Sequence, residues 1–239
     1  MWVADMDFET APCIKDALLN RINHGIYGYT EPPKELPSTV ANYLKTEFNW
    51  SIDTDWIVWL PSLVVGLNVV SRAFADEGDY ILSNTPIYPP FLSAPTNGNR
   101  ETITAPLAWN GAKWVMDIDA LEKTVTNKTK AFLFCSPHNP TGRVWEIDEL
   151  NALVNFCHKH NLTLISDEIH AGLILDQDKT HTATANIPEA ADISVTLLSA
   201  SKTFNMPGLG CAYAIVKNPI LRNKLKKIMN ATVHHVGAL

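Results

Sequence analysis

Lys202 stands out in this sequence because hydroxyl side chains surround it directly after an apolar run. The segment SASKTF, residues 199–204, follows the apolar residues 195–198. Lysine is rarely buried unless its charge is paired, so this position favours a functional role over packing. A lysine amine can form an imine with a carbonyl group and can later act as a base. Lys202 is therefore a candidate catalytic residue.

Three other polar segments follow apolar runs in the same way. They are SPHNPTG at 136–142, SDEIH at 166–170 and TPIYPPF at 85–91. If the apolar runs are parallel strands, their carboxyl ends meet at one edge of a sheet, where ligands bind. We therefore expect the side chains of all four segments to converge on one site.

The residue types in these segments match the chemical groups of one cofactor. A carboxylate such as that of Asp167 can keep a pyridine nitrogen protonated, which makes the ring an electron sink. The Asn139 amide can donate to a phenolate oxygen, and serines with the N–H groups of a helix start can bind a phosphate. Tyr88 could stack on the ring. Together with Lys202, these groups predict a site for pyridoxal phosphate.

Each of these residues also has a structural interpretation when it is taken alone. Asp167 could cap a helix, Asn139 could belong to a simple turn, and Tyr88 could be an ordinary loop aromatic. His170 could equally well be a structural histidine. The combination of segments, rather than any one of them, favours the cofactor site.

The elements that must position these segments are strands and helices in alternation. Short apolar runs predict buried strands, and they lie at 56–60, 80–82, 131–135, 162–166, 195–198 and 212–216. Apolar residues at helical spacing predict helices, which lie at 12–24, 147–160 and 218–229. This alternation indicates an α/β fold with a mostly parallel sheet sandwiched by helices.

The placement of Lys202 at a strand end bears on a competing motif. Ser199 and Lys202 match the S-x-x-K pattern of serine acyl transferases, but that pattern places its lysine one turn into a helix. The K-T-G partner of the motif is also absent from the sequence. We therefore expect Lys202 to end a strand and to act with a cofactor.

Composition limits the partners and the location that we expect. The 239 residues carry a net charge of -6, which lacks the basic character of a nucleic-acid-binding protein. The four cysteines form no C-x-x-C pair, so we predict neither a disulfide framework nor a metal site. No apolar run approaches membrane-spanning length, and the N-terminus lacks the basic start of a signal peptide. We expect a cytoplasmic protein without a membrane or nucleic-acid partner.

The combination of segments resembles the fold-type I pyridoxal-phosphate enzymes, the class I/II aminotransferase superfamily. More narrowly, the chain is similar to the cystathionine β-lyase or C–S lyase subgroup in the segments WVADMDF, GYT, TPIYPPF, SPHNPTGRVW, SDEIHA and SASKTFNMPGL. The resemblance covers essentially the whole chain. It implies pyridoxal 5'-phosphate as cofactor, a small amino acid as substrate and a homodimer.

The resemblance assigns roles around the cofactor ring. Lys202 matches the lysine that binds the cofactor covalently, and Asp167 matches the partner of the pyridine nitrogen. Tyr88 matches the aromatic residue that stacks on the ring. Asn139 and His170 match positions near the phenolic oxygen.

The resemblance also assigns contacts to the phosphate. Ser199 and Ser201 match side-chain contacts, and Leu63 and Val64 match a turn whose backbone amides bind the phosphate. Tyr29 matches a tyrosine that contacts the phosphate of the neighbouring subunit.

Two features depart from the family pattern. Ser62 occupies a position where the subgroup usually has glycine, which implies a less close approach of the phosphate. The family also extends well beyond 239 residues. We expect residues 1–239 to form the cofactor-binding large domain, with an N-terminal arm of about residues 1–30. The C-terminal small domain and its carboxylate-binding arginine would then be absent, as in a large-domain fragment or a truncated gene product.

The resemblance predicts a C–S lyase that converts cystathionine or a related β-thio amino acid to pyruvate, ammonia and a thiol by β-elimination. An aminotransferase of the same fold is the alternative, because both reactions begin with removal of the α-proton. A second alternative is a truncated protein with a binding or regulatory role and no catalysis.

Overall fold

A seven-stranded sheet forms the centre of the fold in the computed structural model, which describes residues 6–29 and 31–233. Its strands are β1 (Ile57–Leu60), β2 (Tyr80–Thr85), β3 (Glu101–Pro106), β6 (Thr129–Cys135), β7 (Thr163–Asp167), β8 (Ser194–Ser199) and β9 (Ala212–Ile215). The strand order across the sheet is β1-β9-β8-β7-β6-β2-β3. A separate hairpin pairs β4 (Ala108–Trp109) with β5 (Trp114–Val115).

The sheet is mostly parallel, as the sequence predicts. Strands β3, β2, β6, β7 and β8 run parallel to one another, whereas β9 is antiparallel to both β8 and β1. All six predicted strands are present. The additional strand β3 has a largely exposed edge with alternating threonines, so it lacks the apolar run that identified the others.

Eight α-helices are present in the described residues. They are α1 (Pro12–His24), α2 (Leu36–Phe48), α3 (Leu63–Phe74), α4 (Pro90–Thr96), α5 (Ile118–Thr124), α6 (Ile147–Lys159), α7 (Ala200–Thr203) and α8 (Pro219–Thr232). The three helices predicted from the sequence are α1, α6 and α8. The sequence predicts that β1 begins at Trp56, but Trp56 is the last residue of a short 3-10 helix, Thr54–Trp56.

The position of Lys202 corrects one expectation. Lys202 does not end a strand but is the third residue of the short helix α7, which follows β8 directly. Ser199 caps this helix, because its hydroxyl accepts a hydrogen bond from the Ser201 N–H at 3.1 Å. Serine competes well for exposed helix N–H groups, so the S-A-S sequence starts a helical turn at the strand end.

Helices cover both faces of the sheet. On one face α3, α4 and α8 pack on side chains such as Ile81, Leu133 and Leu197. On the other face α5 and α6 pack on Phe132 and Leu164, while α2 packs near the other end of the sheet. Successive strand residues point to opposite faces, so both faces of the central strands are apolar. Within the described residues, no helix is long and apolar enough to cross a membrane.

Candidate active site

The carboxyl ends of β2, β6, β7 and β8 meet at a cavity of about 190 Å³. Residues of all four polar segments line it, together with the first turn of α3. The predicted site residues that line this cavity are Leu63, Val64, Tyr88, Asn139, Asp167, His170, Ser201 and Lys202. The structure therefore brings together side chains that are up to about 140 positions apart in the sequence.

Asp167 is the buried carboxyl group of the cavity. It is the last residue of β7 and is 5% exposed, and its Oδ1 accepts a hydrogen bond from the Ile169 N–H at 3.1 Å. Burial raises the pKa of Asp167 to about 7; the bond from Ile169 opposes this shift and the Glu168 carboxylate adds to it. Among the described residues no basic side chain forms an ion pair with Asp167.

Cys135 lies beside this carboxyl group and is a residue of the cavity that the sequence analysis did not single out. It is the last residue of β6 and stands opposite Asp167 in the strand register. Its Sγ donates to the Pro137 carbonyl oxygen at 3.2 Å and accepts a hydrogen bond from the Asn139 N–H at 3.4 Å. The thiol therefore helps to hold the turn that carries Asn139 into the cavity. Its position at a strand end was the signal that could have identified it.

Lys202 and His170 form the polar wall of the cavity. Burial lowers the pKa of the His170 imidazole, and the nearby positive charge of Lys202 lowers it further. His170 is consequently neutral at neutral pH, so its ring has one donor and one acceptor nitrogen. The two side chains come from the segments after β7 and β8, which are adjacent strands.

The first turn of α3 forms the anion-binding end of the cavity. Ser62 caps the helix, and its Oγ accepts a hydrogen bond from the Val65 N–H at 3.3 Å. The N–H groups of Leu63 and Val64 have no partner within the helix, because the first turn of any helix leaves its amides unpaired. Together with the positive end of the helix dipole, they suit a phosphate. Ser201 lines the same cavity.

Two predicted phosphate contacts lie outside this cavity. The Ser199 hydroxyl donates to the Cys211 carbonyl oxygen at 2.7 Å and lies 2.9 Å from the Ser201 Oγ, so it joins α7 to the segment before β9. Tyr29 is 92% exposed. The roles of Ser199 and Tyr29 in phosphate binding stay predictions.

No arginine lines the cavity in the part of the chain that the structure describes. Arg143, which follows the SPHNPTG segment, is buried elsewhere. It donates to the Trp114 carbonyl oxygen at 2.9 Å, pairs with Glu149 and lies over the Trp145 ring. Its guanidinium therefore holds the hairpin and α6 to the core.

Comparison with known proteins identifies the family. The family described as "Aminotransferase class I and II" matches residues 3–235. The chain belongs to this family. Among its relatives, "Cystathionine beta-lyase PatB" of Bacillus subtilis (strain 168) is 35% identical over 226 residues, which cover 94% of this chain and 58% of the relative.

Solved structures of the aminotransferase class I and II fold agree with this assignment. OvoB superposes with a TM-score of 0.96 at 38% identity, covering 100% of this chain and 63% of OvoB. Cystalysin from Treponema denticola, whose structure contains pyridoxal 5'-phosphate, superposes with a TM-score of 0.92 at 38% identity, covering 96% of this chain and 59% of cystalysin. The chain thus spans about three fifths of the length of these relatives.

Proposed function

We propose that residues 1–239 form the cofactor-binding large domain of a pyridoxal-phosphate-dependent C–S lyase. The proposed substrate is cystathionine or a related β-thio amino acid, and the products are pyruvate, ammonia and a thiol. The similarity to a relative named cystathionine beta-lyase supports the subgroup. The meeting of Lys202 and Asp167 in one cavity is the observation that carries the proposal.

The residues present fit this cofactor, and Asp167 provides the test. A buried carboxylate without a basic partner is costly, so a site with such a group favours a ligand that brings a positive charge. A protonated pyridine nitrogen is such a group. The N–H groups at the start of α3 lie in the same cavity as Asp167, so one ligand with a cationic ring and a phosphate satisfies both.

The side chains of the cavity have separate roles in this proposal. Lys202 would bind the aldehyde carbon, and Asp167 would hold a proton on the ring nitrogen. Asn139 and His170 would contact the phenolic oxygen, and Tyr88 would lie against the ring. Bound pyridoxal phosphate supplies an aldehyde that condenses with amines and a ring that withdraws electrons from the neighbouring carbon.

Lys202 also serves as the base. Its Nζ would accept the proton from the substrate α-carbon. Two outcomes would then compete. Loss of a thiolate from the β-carbon gives elimination, whereas delivery of the proton to a different carbon gives the aminotransferase reaction. A thiolate is a good leaving group, so a β-thio substrate favours elimination.

The experiment is incubation of the protein with pyridoxal phosphate and cystathionine, without a keto acid, under single-turnover conditions. Pyruvate and free thiol are expected in equal amounts, and Lys202→Ala is expected to form neither. Turnover by residues 1–239 should be slow, because no arginine of the described part is placed to hold a substrate carboxylate. Correct orientation of a substrate can lower the activation barrier by about 7 kcal/mol. A product that forms only with a keto acid, with no thiol released, would establish the aminotransferase alternative.

A further inference from the structure

A buried histidine–glutamate pair lies directly behind the cavity. Glu168 follows Asp167 and is 1% exposed. Its Oε2 lies 2.7 Å from the Nε2 of His181, whose side chain is 2% exposed. The other oxygen, Oε1, accepts hydrogen bonds from the Ser166 hydroxyl at 2.8 Å and from the Thr184 N–H at 2.9 Å. Both carboxylate oxygens are therefore fixed.

The two consecutive carboxyl groups point to opposite faces of the sheet. Asp167 lines the cavity on the face of the sheet that α3 covers. Glu168 accepts its hydrogen bond from Ser166 on the opposite face, on the side of α2. Side chains alternate along a strand, so the direction of one carboxyl group sets the direction of the next. Phe48 of α2 holds the His181 ring edge-on, with ring centroids 5.4 Å apart.

We propose that His181 is a positioning residue for Asp167: by holding the Glu168 carboxylate on the far face of the sheet, it keeps the Asp167 carboxylate directed at the pyridine nitrogen. This inference rests on the proposed cofactor. His181 does not line the cavity in the described part of the chain, so it acts only through Glu168.

The physical reason is the cost of an unsatisfied buried carboxylate. Without His181, the Glu168 carboxylate loses one of its three hydrogen-bond donors. The free-energy cost of burying this carboxylate is then higher than in the wild type. The carboxylate can regain a partner through rotation of its side chain together with a shift of the backbone, and a shift of the peptide that Glu168 shares with Asp167 moves the Asp167 carboxylate.

The test compares two probes, pyridoxal phosphate and its 1-deaza analogue, in which a C–H group replaces the pyridine nitrogen. Both can bind Lys202 and the phosphate site, but only the first can use Asp167. The wild-type chain is expected to bind pyridoxal phosphate more than about tenfold more tightly than the analogue, because the contact is a charge-assisted hydrogen bond. Asp167→Ala should lose most of this preference.

His181→Phe keeps the ring contact with Phe48 and removes the donor. It is expected to lower the preference about fivefold, the worth of one hydrogen bond, while binding of the 1-deaza analogue stays unchanged. His181→Gln restores a donor and should recover most of the preference. The matched control is His160→Phe, because His160 also pairs with a glutamate, Glu122, at 3.0 Å but lies outside the cavity.

Two results would overturn the role of His181 but leave the proposed cofactor contact intact. They are a full preference in His181→Phe, or equally weakened binding of both probes. If His181→Phe does not fold, Glu168→Met replaces it, since this variant keeps the length of the side chain but offers no hydrogen-bonding group to His181. An unchanged preference in Glu168→Met would then overturn the inference. A wild-type chain without preference, or a preference that survives in Asp167→Ala, would overturn the proposed cofactor contact together with this inference.

Discussion

Cys135 and Asp167 stand directly opposite each other on the neighbouring parallel strands β6 and β7, and both line the same cavity. Burial and the Asp167 carboxylate both raise the pKa of the Cys135 thiol, so the thiol stays protonated. The cavity therefore holds one acid that remains neutral and one carboxyl group whose pKa is about 7.

The raised pKa of Asp167 predicts how the stability of the cofactor-free protein depends on pH. Its pKa in the folded protein, about 7, lies above the ordinary value of 3.8. The neutral form therefore stabilises the fold fully below about pH 4, and this contribution is lost as the pH rises through 7. Asp167→Asn should gain up to about 4 kcal/mol over the wild type between pH 3 and pH 8. Urea denaturation measures the difference.

The control for this experiment is Asp178→Asn, because Asp178 is exposed in a loop. The difference between the two variants at each pH isolates the effect of the buried position from that of the Asp→Asn substitution itself. An Asp167→Asn variant whose stability follows the wild-type curve at every pH would contradict the buried, unpaired carboxyl group.

Lys202 predicts the site of covalent attachment of the cofactor. The protein with pyridoxal phosphate should be yellow, and borohydride should fix the cofactor on the peptide that contains Lys202. Lys202→Ala should prevent labelling, whereas Lys224→Ala on the exposed side of α8 should not. Peptide mapping by mass spectrometry gives the result, and a label on any other lysine would refute the assignment.

Ser62 caps α3, and we expect this cap to make a measurable contribution to the free energy of unfolding. Its hydroxyl accepts the Val65 N–H bond, so Ser62→Ala should lower the free energy of unfolding by about 1 kcal/mol. Ser62→Gly should cost only a few tenths of that, because glycine is a tolerated cap residue. It should also bind pyridoxal phosphate at least as tightly, since the turn becomes more accessible. Loss of cofactor affinity in Ser62→Gly would show that the hydroxyl itself contacts the ligand.

Tyr29 predicts that cofactor affinity depends on protein concentration. If it contacts the phosphate of a neighbouring subunit, affinity should rise as the protein is concentrated and dimers form. Tyr29→Phe should lack this dependence, although it keeps the aromatic ring. Titration at several protein concentrations, with sedimentation to follow association, tests both statements. A concentration-independent affinity in the wild type would mean that Tyr29 does not serve another subunit.

Much of the fold could be predicted because central strands are buried on both faces. Such strands are short apolar runs, and β6 with β7 is the clearest case. Polar residues after the runs then indicated the site, since parallel strands end at one edge. The helix α7 was missed because four residues are too few to show a helical period.

The contacts of Glu168 and His181 could not be predicted, because they depend on tertiary placement. Thirteen positions separate the two residues, and the connecting segment contains no strand or α-helix that fixes their distance. Ser199 has the same limitation. The family resemblance assigned it a phosphate contact, but the direction of its hydroxyl depends on how the chain returns at Cys211.

The reversed strand β9 has a consequence for the order in which the protein assembles during synthesis. In the described part of the chain, β1 pairs with β9 and with no other strand, so Ile57 cannot pair until Ile215 has been synthesised. About 160 residues must therefore leave the ribosome before the first strand of the sheet gains its neighbour, and contacts so distant in sequence form slowly. The start of α3 follows β1 directly, so the phosphate end of the cavity is fixed only after strand β7 with Asp167 and helix α7 with Lys202 have been made.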